Sequence, residues 1–526
     1  MNLKEAQLIR TLYKIERKVA YPITLYTCNE EELKVKTGSI LTTESEVEYE
    51  INLMDLLLAA YCCDVPILLV GGTGEGKTYS VKTFSYILFG NEGYVGMRCS
   101  SGTLQFNPLQ PFITSRIENG IPIIEPDVEK CRRVQAIFID ELNRAETNQL
   151  LQLIDGNVEI GGTTVEIGVK INEKEIKKPL IVGAMNPPTP GYTETVQLDQ
   201  AVRNRFLQIE IPSIAQTAGP ALSFYSQKLM ELHLELLESL DYRGENWLKD
   251  VADLAKKINE KITFQYGALK MVDIVVQAVS GDYFKQFERE KEIVKQISSE
   301  IGRDVYFPSQ LERGTEMKEL EKIVNSFEEV PCSNRDVVYF THLTKIIELI
   351  KYFKSLCRSS EERNKIRVTP ETVAIAAIIY WNGKGGEDVT QLVKTAYVAY
   401  NKLCERFSSI AGMNREDLKR EGILRPLIIE EGIKRGNLEN VLNVWDAWKG
   451  VKEEPGSFSH LVLARTTATL ALFTGFCKRM EREVQRILNK LRGRPLEAYK
   501  ELGKIYYANE HLLPSIYSRL RIIFPC

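Results

Sequence analysis

The strongest chemical signal in the chain is the run Gly71-Gly72-Thr73-Gly74-Glu75-Gly76-Lys77-Thr78, of the form G-x-x-x-x-G-K-T. Glycines at this spacing let consecutive backbone N–H groups turn inward around a β-phosphate. Lys77 adds a cation that reaches the β and γ oxygens, and the Thr78 hydroxyl is a hard oxygen ligand suited to Mg²⁺. The surroundings are those the chemistry needs. An apolar run, Pro66–Val70, leads in, and a helix-compatible stretch, Tyr79–Phe89, follows. The N-terminus of that helix adds positive potential where a phosphate would sit. All eight residues, 71–78, are therefore candidate nucleotide contacts. A guanine-reading N-K-x-D signature is absent, which favours ATP over GTP.

Further polar residues fit the same machinery. A second apolar run ends in Ile139-Asp140-Glu141. Asp140 is placed to hold Mg²⁺ through water, and Glu141 to polarise an attacking water. Asn186 follows the run Leu180–Ala184, ahead of Pro187-Pro188. An amide at a strand end beside the phosphate strand can orient that water, although the same pattern also describes a turn asparagine. Arg203 and Arg205 stand just before the run Phe206–Ile211. Either can reach a neighbouring subunit's nucleotide, or simply complement a helix C-terminus.

These groups need elements to carry them. Between residues 66 and 211 the runs Pro66–Val70, Tyr94–Cys99, Ala136–Ile139, Leu180–Ala184 and Phe206–Ile211 alternate with helix-compatible stretches. Apolar runs of this length predict strands buried on both faces, hence a parallel sheet covered by helices. Asn157–Ile167 alternates around Gly161-Gly162 and predicts a hairpin. After Pro212 helical periodicity dominates, broken at 281–335 by charge, glycine and proline, which predicts a long insertion. Thr369 before Pro370 reads as the N-cap of a late helix.

Taken in order, the motifs resemble an AAA+ ATPase of the MoxR-like, dynein-related branch. Gly71–Thr78 is similar to Walker A, Phe138–Ala145 (F-I-D-E-L-N-R-A) to Walker B and Ala184–Pro188 to sensor 1. Asn204-Arg205-Phe206 stands where that family has D-R-F, which makes Arg205 the first choice of arginine finger and Arg203 the second. Ser333-Asn334-Arg335-Asp336 resembles sensor 2, with Arg335 opening a lid helix that reads Val338, Ile346, Ile350 and Phe353. Arg367–Val373 looks like the start of the last lid helix, and Thr73 replaces a proline common in the family's loop. The resemblance covers about residues 40–384 and implies an α/β P-loop core with a five-stranded parallel sheet, a helical lid and a helical C-terminal extension. The implied boundaries are an N-terminal segment 1–40, a nucleotide-binding domain 41–215, a lid with insertion 216–384 and a C-terminal domain 385–526. It also implies Mg²⁺-dependent ATP hydrolysis by a homo-oligomeric ring, a hexamer, that remodels a protein partner of the von Willebrand factor A type. In that family the hairpin at 157–167 faces a central pore.

Composition sets the remaining bounds. The 526 residues are 44% apolar and 26% charged, which excludes fibrous and wholly disordered classes. Net charge is −3, so attraction to nucleic acid would have to be local. Residues 465–526 supply such a place, with 12 Lys and Arg against 5 Asp and Glu and with Tyr499, Tyr506, Tyr507 and Tyr517 interleaved. A solvated helical face explains this charge as well as nucleic acid does, so a nucleic-acid motor stands as the alternative to a protein remodeller. A nucleotide-gated structural subunit is a third reading, opposed by the intact Lys77, Asp140 and Glu141. Ten cysteines without a C-x-x-C pair, and four scattered histidines, argue against zinc and for buried thiols in a reducing cytoplasm. Met1–Ala20 is too charged for a secretory core and shows one apolar helix face, Leu8, Leu12, Ile15 and Val19. No membrane span is expected, because Arg465 and several threonines interrupt the apolar stretch Leu461–Cys477.

Overall fold

The computed structural model describes residues 24–28, 49–99, 107–211, 244–280 and 332–411, apart from 73, 146, 174, 188–197, 265, 360–362 and 383–387, together with Val324, Arg486 and Glu501. The N-terminal helix face, most of the 281–335 insertion and nearly all of 465–526 lie outside the described residues, as does Thr73.

In chain order, β1 (Thr24–Cys28) pairs antiparallel with β2 (Tyr49–Asn52), which runs into α1 (Leu53–Cys63). Next come β3 (Ile67–Val70), α2 (Lys77–Phe89) and β4 (Tyr94–Arg98). A hairpin of β5 (Ile113–Glu118) and β6 (Ile121–Pro126), then α3 (Val128–Arg133), lead to β7 (Ala136–Asp140). After α4 (Thr147–Asp155) stand β8 (Asn157–Ile160), β9 (Thr163–Glu166), β10 (Val169–Asn172), β11 (Glu175–Lys177) and β12 (Leu180–Met185). α5 (Gln200–Arg203) and β13 (Leu207–Glu210) complete this part. Beyond it are α6 (Gly244–Glu260), β14 (Ile262–Phe264), α7 (Tyr266–Val279), α8 (Asn334–Ser359), β15 (Ile366–Val368), α9 (Pro370–Asn382) and α10 (Thr390–Ala411).

The five apolar runs form one parallel sheet in the order β13-β3-β12-β7-β4. The three inner strands, Ile67–Val70, Ala136–Asp140 and Leu180–Met185, are buried almost throughout, as runs covered on both faces must be. The outer strands differ from that expectation. β4 and β13 alternate between covered and uncovered residues because each lies at an edge of the sheet. Leu68, Val70, Ile137 and Ile139 point to one face, where they pack with Leu142, Leu150 and Leu153. The alternate residues meet the other face, where α1 and α2 contact the strands. Each fully buried Leu or Ile contributes about 1.5–3 kcal/mol, so this two-sided core fixes the strand register that aligns the functional loops.

Among the described residues the antiparallel hairpins β5–β6, β8–β9 and β10–β11 leave this core, and the first two carry clear turn residues. The expected one, β8–β9, turns on Gly161 (φ 58) and Gly162 (φ 81), and β5–β6 turns on Asn119 (φ 52) and Gly120 (φ 80). Both turns need successive positive φ values, which Asn-Gly and Gly-Gly tolerate. Farther along, Ser333 and Asp336 cap α8 reciprocally, and the Thr369 hydroxyl accepts from the Thr372 amide at the start of α9. The expected stripe on α8 is buried at Ile346, Ile350 and Phe353, but Val338 is 52% exposed and off it; Phe340 and Leu343 take its place.

Contacts divide the chain into two compact units that cut across its order. One comprises Met1–Phe264 with Ser333–Gly386, and the other Gln265–Cys332 with Glu387–Cys526. The first thus joins the sheet to α6, α8 and α9, with α8 packed along α1. In the second, α7 packs on α10. Among the described residues no helix is long and apolar enough to cross a membrane.

Candidate nucleotide site

The glycine loop is built where β3 ends. Gly71 donates to Met185 O, and a side chain at Gly71 would press on Ile211 at 3.0 Å, so the loop leaves the sheet between β12 and the end of β13. Gly74 (φ 85) and Gly76 (φ 78) take the left-handed conformations that turn the backbone around, and α2 begins at Lys77. The Lys77 side chain is 7% exposed, and its Nζ donates to Gly71 O and Gly72 O at 2.7 Å each. Burial pulls its pKa below the usual lysine value, while Asp140 and Glu75 oppose that pull. A buried ammonium whose hydrogen bonds go to loop carbonyls suits the oxygens of a phosphate chain, which would give it a direct charge partner.

The Thr78 hydroxyl donates to Asp140 Oδ2 at 3.2 Å. A hydroxyl and a carboxylate this close supply two hard oxygen donors, a set that fits Mg²⁺ completed by water and phosphate. Among the described residues no group of three His, Cys, Asp or Glu side chains could hold a metal alone. Glu141 follows directly, in left-handed backbone (φ 55), and its amide donates to Asp140 Oδ1 at 3.1 Å. Asn186 follows β12 half-buried, and Met185 before it is in register with Val70, the last residue ahead of the glycine loop. Lys77, Thr78, Asp140, Glu141 and Asn186 therefore meet at the C-terminal ends of three adjacent parallel strands. That is a P-loop arrangement.

No family model matches the chain. The uncharacterized protein YojN of Bacillus subtilis is 25% identical over 272 residues, 47% of this chain and 86% of that protein. A crystal structure of a "putative ATPase" from Cytophaga hutchinsonii is 16% identical, spanning 74% of this chain and 94% of that one with a TM-score of 0.42. The sheet order and the loop geometry carry the nucleotide fold by themselves.

The arginines are placed apart from this cluster. Leu207 is in register with Ile67 at the start of β3, so Arg205 lies at the opposite end of the sheet from the glycine loop. Its guanidinium donates to Asp155 Oδ1 at 3.3 Å and to Ala201 O at 3.1 Å. Arg203 is exposed and donates to the Gln208 side chain at 3.2 and 3.3 Å. Arg335 is exposed on the first turn of α8. Burial pushes the Tyr339 hydroxyl pKa up, and Arg205 and Arg335, two cations near that tyrosine, both oppose it.

One functional neighbour has no motif of its own. Arg98 ends β4, and its Nε and Nη2 donate to Glu141 Oε1 at 3.1 and 2.7 Å. That bond is the main cause of an upward push on the Arg98 pKa. The available signal was a lone cation closing an apolar run, at the same strand end as Asp140.

Proposed function

We propose that the protein is a Mg²⁺-dependent ATPase of the AAA+ MoxR-like type, working as a homo-oligomeric ring on a protein partner. The observation that carries the reading is the convergence of Lys77, Thr78, Asp140, Glu141 and Asn186 on one end of the sheet. Lys77 and the loop amides hold the phosphates. Thr78 and Asp140 would hold Mg²⁺, which when bound would neutralise phosphate charge. Glu141 accepts a proton from the attacking water, and Asn186 orients that water. The β8–β9 hairpin, at the place where the resemblance puts the family's hairpin, supports the reading.

The distance of Arg205 from its own loop supports a role in trans, at a neighbour's γ-phosphate. Arg335, which also lies near Tyr339, would act beside it. Mixing Arg205→Ala with Lys77→Ala subunits tests this arrangement. Each variant alone should lose turnover, by about 10³-fold for a missing finger. The mixture should recover part of it, because some junctions pair an intact loop with an intact arginine. Undiminished specific activity of a monomer across dilution would refute the ring.

The partner class follows from the resemblance, which suggests a domain of the von Willebrand factor A type. The second reading, a nucleic-acid motor, is favoured by the basic 465–526 segment. DNA that stimulates hydrolysis at low salt and loses that effect steeply as salt rises would support it.

A further inference from the structure

Arg335 sits where a helix is weakest. It is exposed on the first turn of α8, whose earliest backbone N–H groups have no carbonyl one turn behind them to bond. The bond that closes this turn, from Val337 N to Ser333 O, is long at 3.3 Å. Asp336, the next residue, holds the turn from two directions. Its Oδ2 accepts from Ser333 N at 2.7 Å and from Ser333 Oγ at 2.8 Å, which caps the helix locally. Its Oδ1 accepts from the Tyr380 hydroxyl at 2.9 Å, 44 residues away near the end of α9. One carboxylate therefore joins a cap made within α8 to a donor supplied by the neighbouring helix.

Helix geometry turns that bond into an orientation for Arg335. Asp336 and Phe340 lie on one face of α8, and both meet α9, Phe340 by packing on Trp381 with ring centres 4.8 Å apart. Arg335 and Tyr339 share the adjacent face, about 100° around the axis. Phe340 fixes the second turn, and the Asp336–Tyr380 bond extends the same hold to the first. Without the hydroxyl, the turn that carries Arg335 keeps only its own cap. We propose that Tyr380 is a positioning residue that holds Arg335 in its working orientation by anchoring Asp336 to α9. The inference rests on the reading of Arg335 as a residue that acts at a bound nucleotide. A second bond between the same helices supplies a control. The Thr372 hydroxyl donates to Glu348 Oε2 at 2.6 Å, about 18 Å farther along α8 than Asp336.

The test uses the full-length chain with Mg²⁺ in excess, ATP varied, and kcat taken per folded molecule. Tyr380→Phe removes one hydroxyl and should lower kcat about three- to ten-fold, the factor for one hydrogen bond of about 0.7–1.4 kcal/mol, with KM for ATP unchanged. Arg335→Ala should lower kcat by more. Adding Tyr380→Phe to Arg335→Ala should then lower kcat no further, because the arginine it positions is gone. The fall in melting temperature that Tyr380→Phe causes should persist in both backgrounds. Thr372→Val, which loosens the same helix pair away from Arg335, should lower the melting temperature and leave kcat at the wild-type value. If Arg335→Ala slows hydrolysis and Tyr380→Phe does not, this inference alone falls. It also falls if Thr372→Val slows hydrolysis as much as Tyr380→Phe, or if the Tyr380→Phe loss persists in full without Arg335, since the hydroxyl would then serve only the stability of the helix pair. If Arg335→Ala turns over as fast as wild type, the reading of Arg335 falls and takes the inference with it.

Discussion

The two ends of the sheet solve opposite problems with similar chemistry. At the C-terminal ends of the strands, polar groups are gathered by short loops and left accessible: Gly74 is exposed, and Glu141 keeps 22% of its side-chain surface. At the other end a polar network is sealed in. Lys177, at the end of β11, is 3% exposed and donates to Tyr61 O at 2.6 Å and to Asp64 Oδ1 at 2.5 Å, with its ammonium 4.8 Å from the Tyr61 ring centre. The Tyr61 hydroxyl bonds Gln135, whose carbonyl in turn accepts from the Leu180 amide. This network ties the last turn of α1 to the first residues of β7 and β12. Lys177, Tyr61 and Gln135 are buried and bonded within it and Asp64 closes it at the surface, whereas Lys77 and Glu141 are held by groups that a nucleotide or a water can displace. One end is built to stay, the other to exchange partners.

Substitutions should separate the two ends cleanly. The largest effects belong to the exchanging end and to function. Glu141→Gln should lower turnover by about 10²–10⁴-fold while nucleotide binding persists, because only proton acceptance is lost; a filter-binding assay beside a phosphate-release assay checks both halves. Lys77→Ala should weaken ATP binding by about 10²-fold or more, the worth of charge-assisted bonds to phosphate, with little change in melting temperature. At the sealed end the effect should move to stability. Lys177→Met should cost about 2–3 kcal/mol by removing the buried ammonium that the Tyr61 carbonyl and the Asp64 carboxylate share, with turnover per folded molecule unaltered in urea-titrated samples. Gly168→Ala should cost a similar amount, because Gly168 has φ 136 and an added methyl would collide with the Lys177 backbone carbonyl. If either far-end variant stayed stable but lost hydrolysis, the two ends would be coupled and the contrast would be wrong.

The same contrast explains what the sequence made legible. The exchanging end is written locally. Loop, lysine and threonine are contiguous in Gly71–Thr78, and Asp140-Glu141 close an apolar run, so residue type and spacing sufficed to find them. All five sheet strands were visible as apolar runs for the same reason. The sealed end is written across the chain, since Lys177 meets Asp64 and Gln135 meets Tyr61 through tertiary packing alone. No spacing rule links positions 113 and 74 residues apart. Arg98 is intermediate, because its partner lies 43 residues away and only the register of β4 on β7 brings them together. The β5–β6 hairpin did carry a local signal, Asn119-Gly120 between Ile-rich runs, of the same kind that marked β8–β9. The two compact units also bear on experiment: a truncation at Gly385 would strip α7 of α10, so it removes part of a unit.

The smallest predicted effect is the sharpest test of how open the exchanging end is. Gly74 has φ 85, and a methyl built on it would meet nothing within 4 Å. Gly74→Ala should therefore cost only the left-handed backbone penalty, about 1 kcal/mol, with no packing strain added. Gly168 differs in one respect: its added methyl runs into backbone that cannot yield without shifting β11. In a chain of this size about 1 kcal/mol shifts the melting temperature by about 1–2 °C, within reach of calorimetry without nucleotide. The same measurement with Mg²⁺ and ATP should show nearly full ligand stabilisation, since the Gly74 amide survives the substitution. A loss above about 3 kcal/mol, comparable with Gly168→Ala, would mean that the glycine loop is packed as tightly as the sealed end. The loop would then resist the rearrangement that phosphate binding by Lys77 demands.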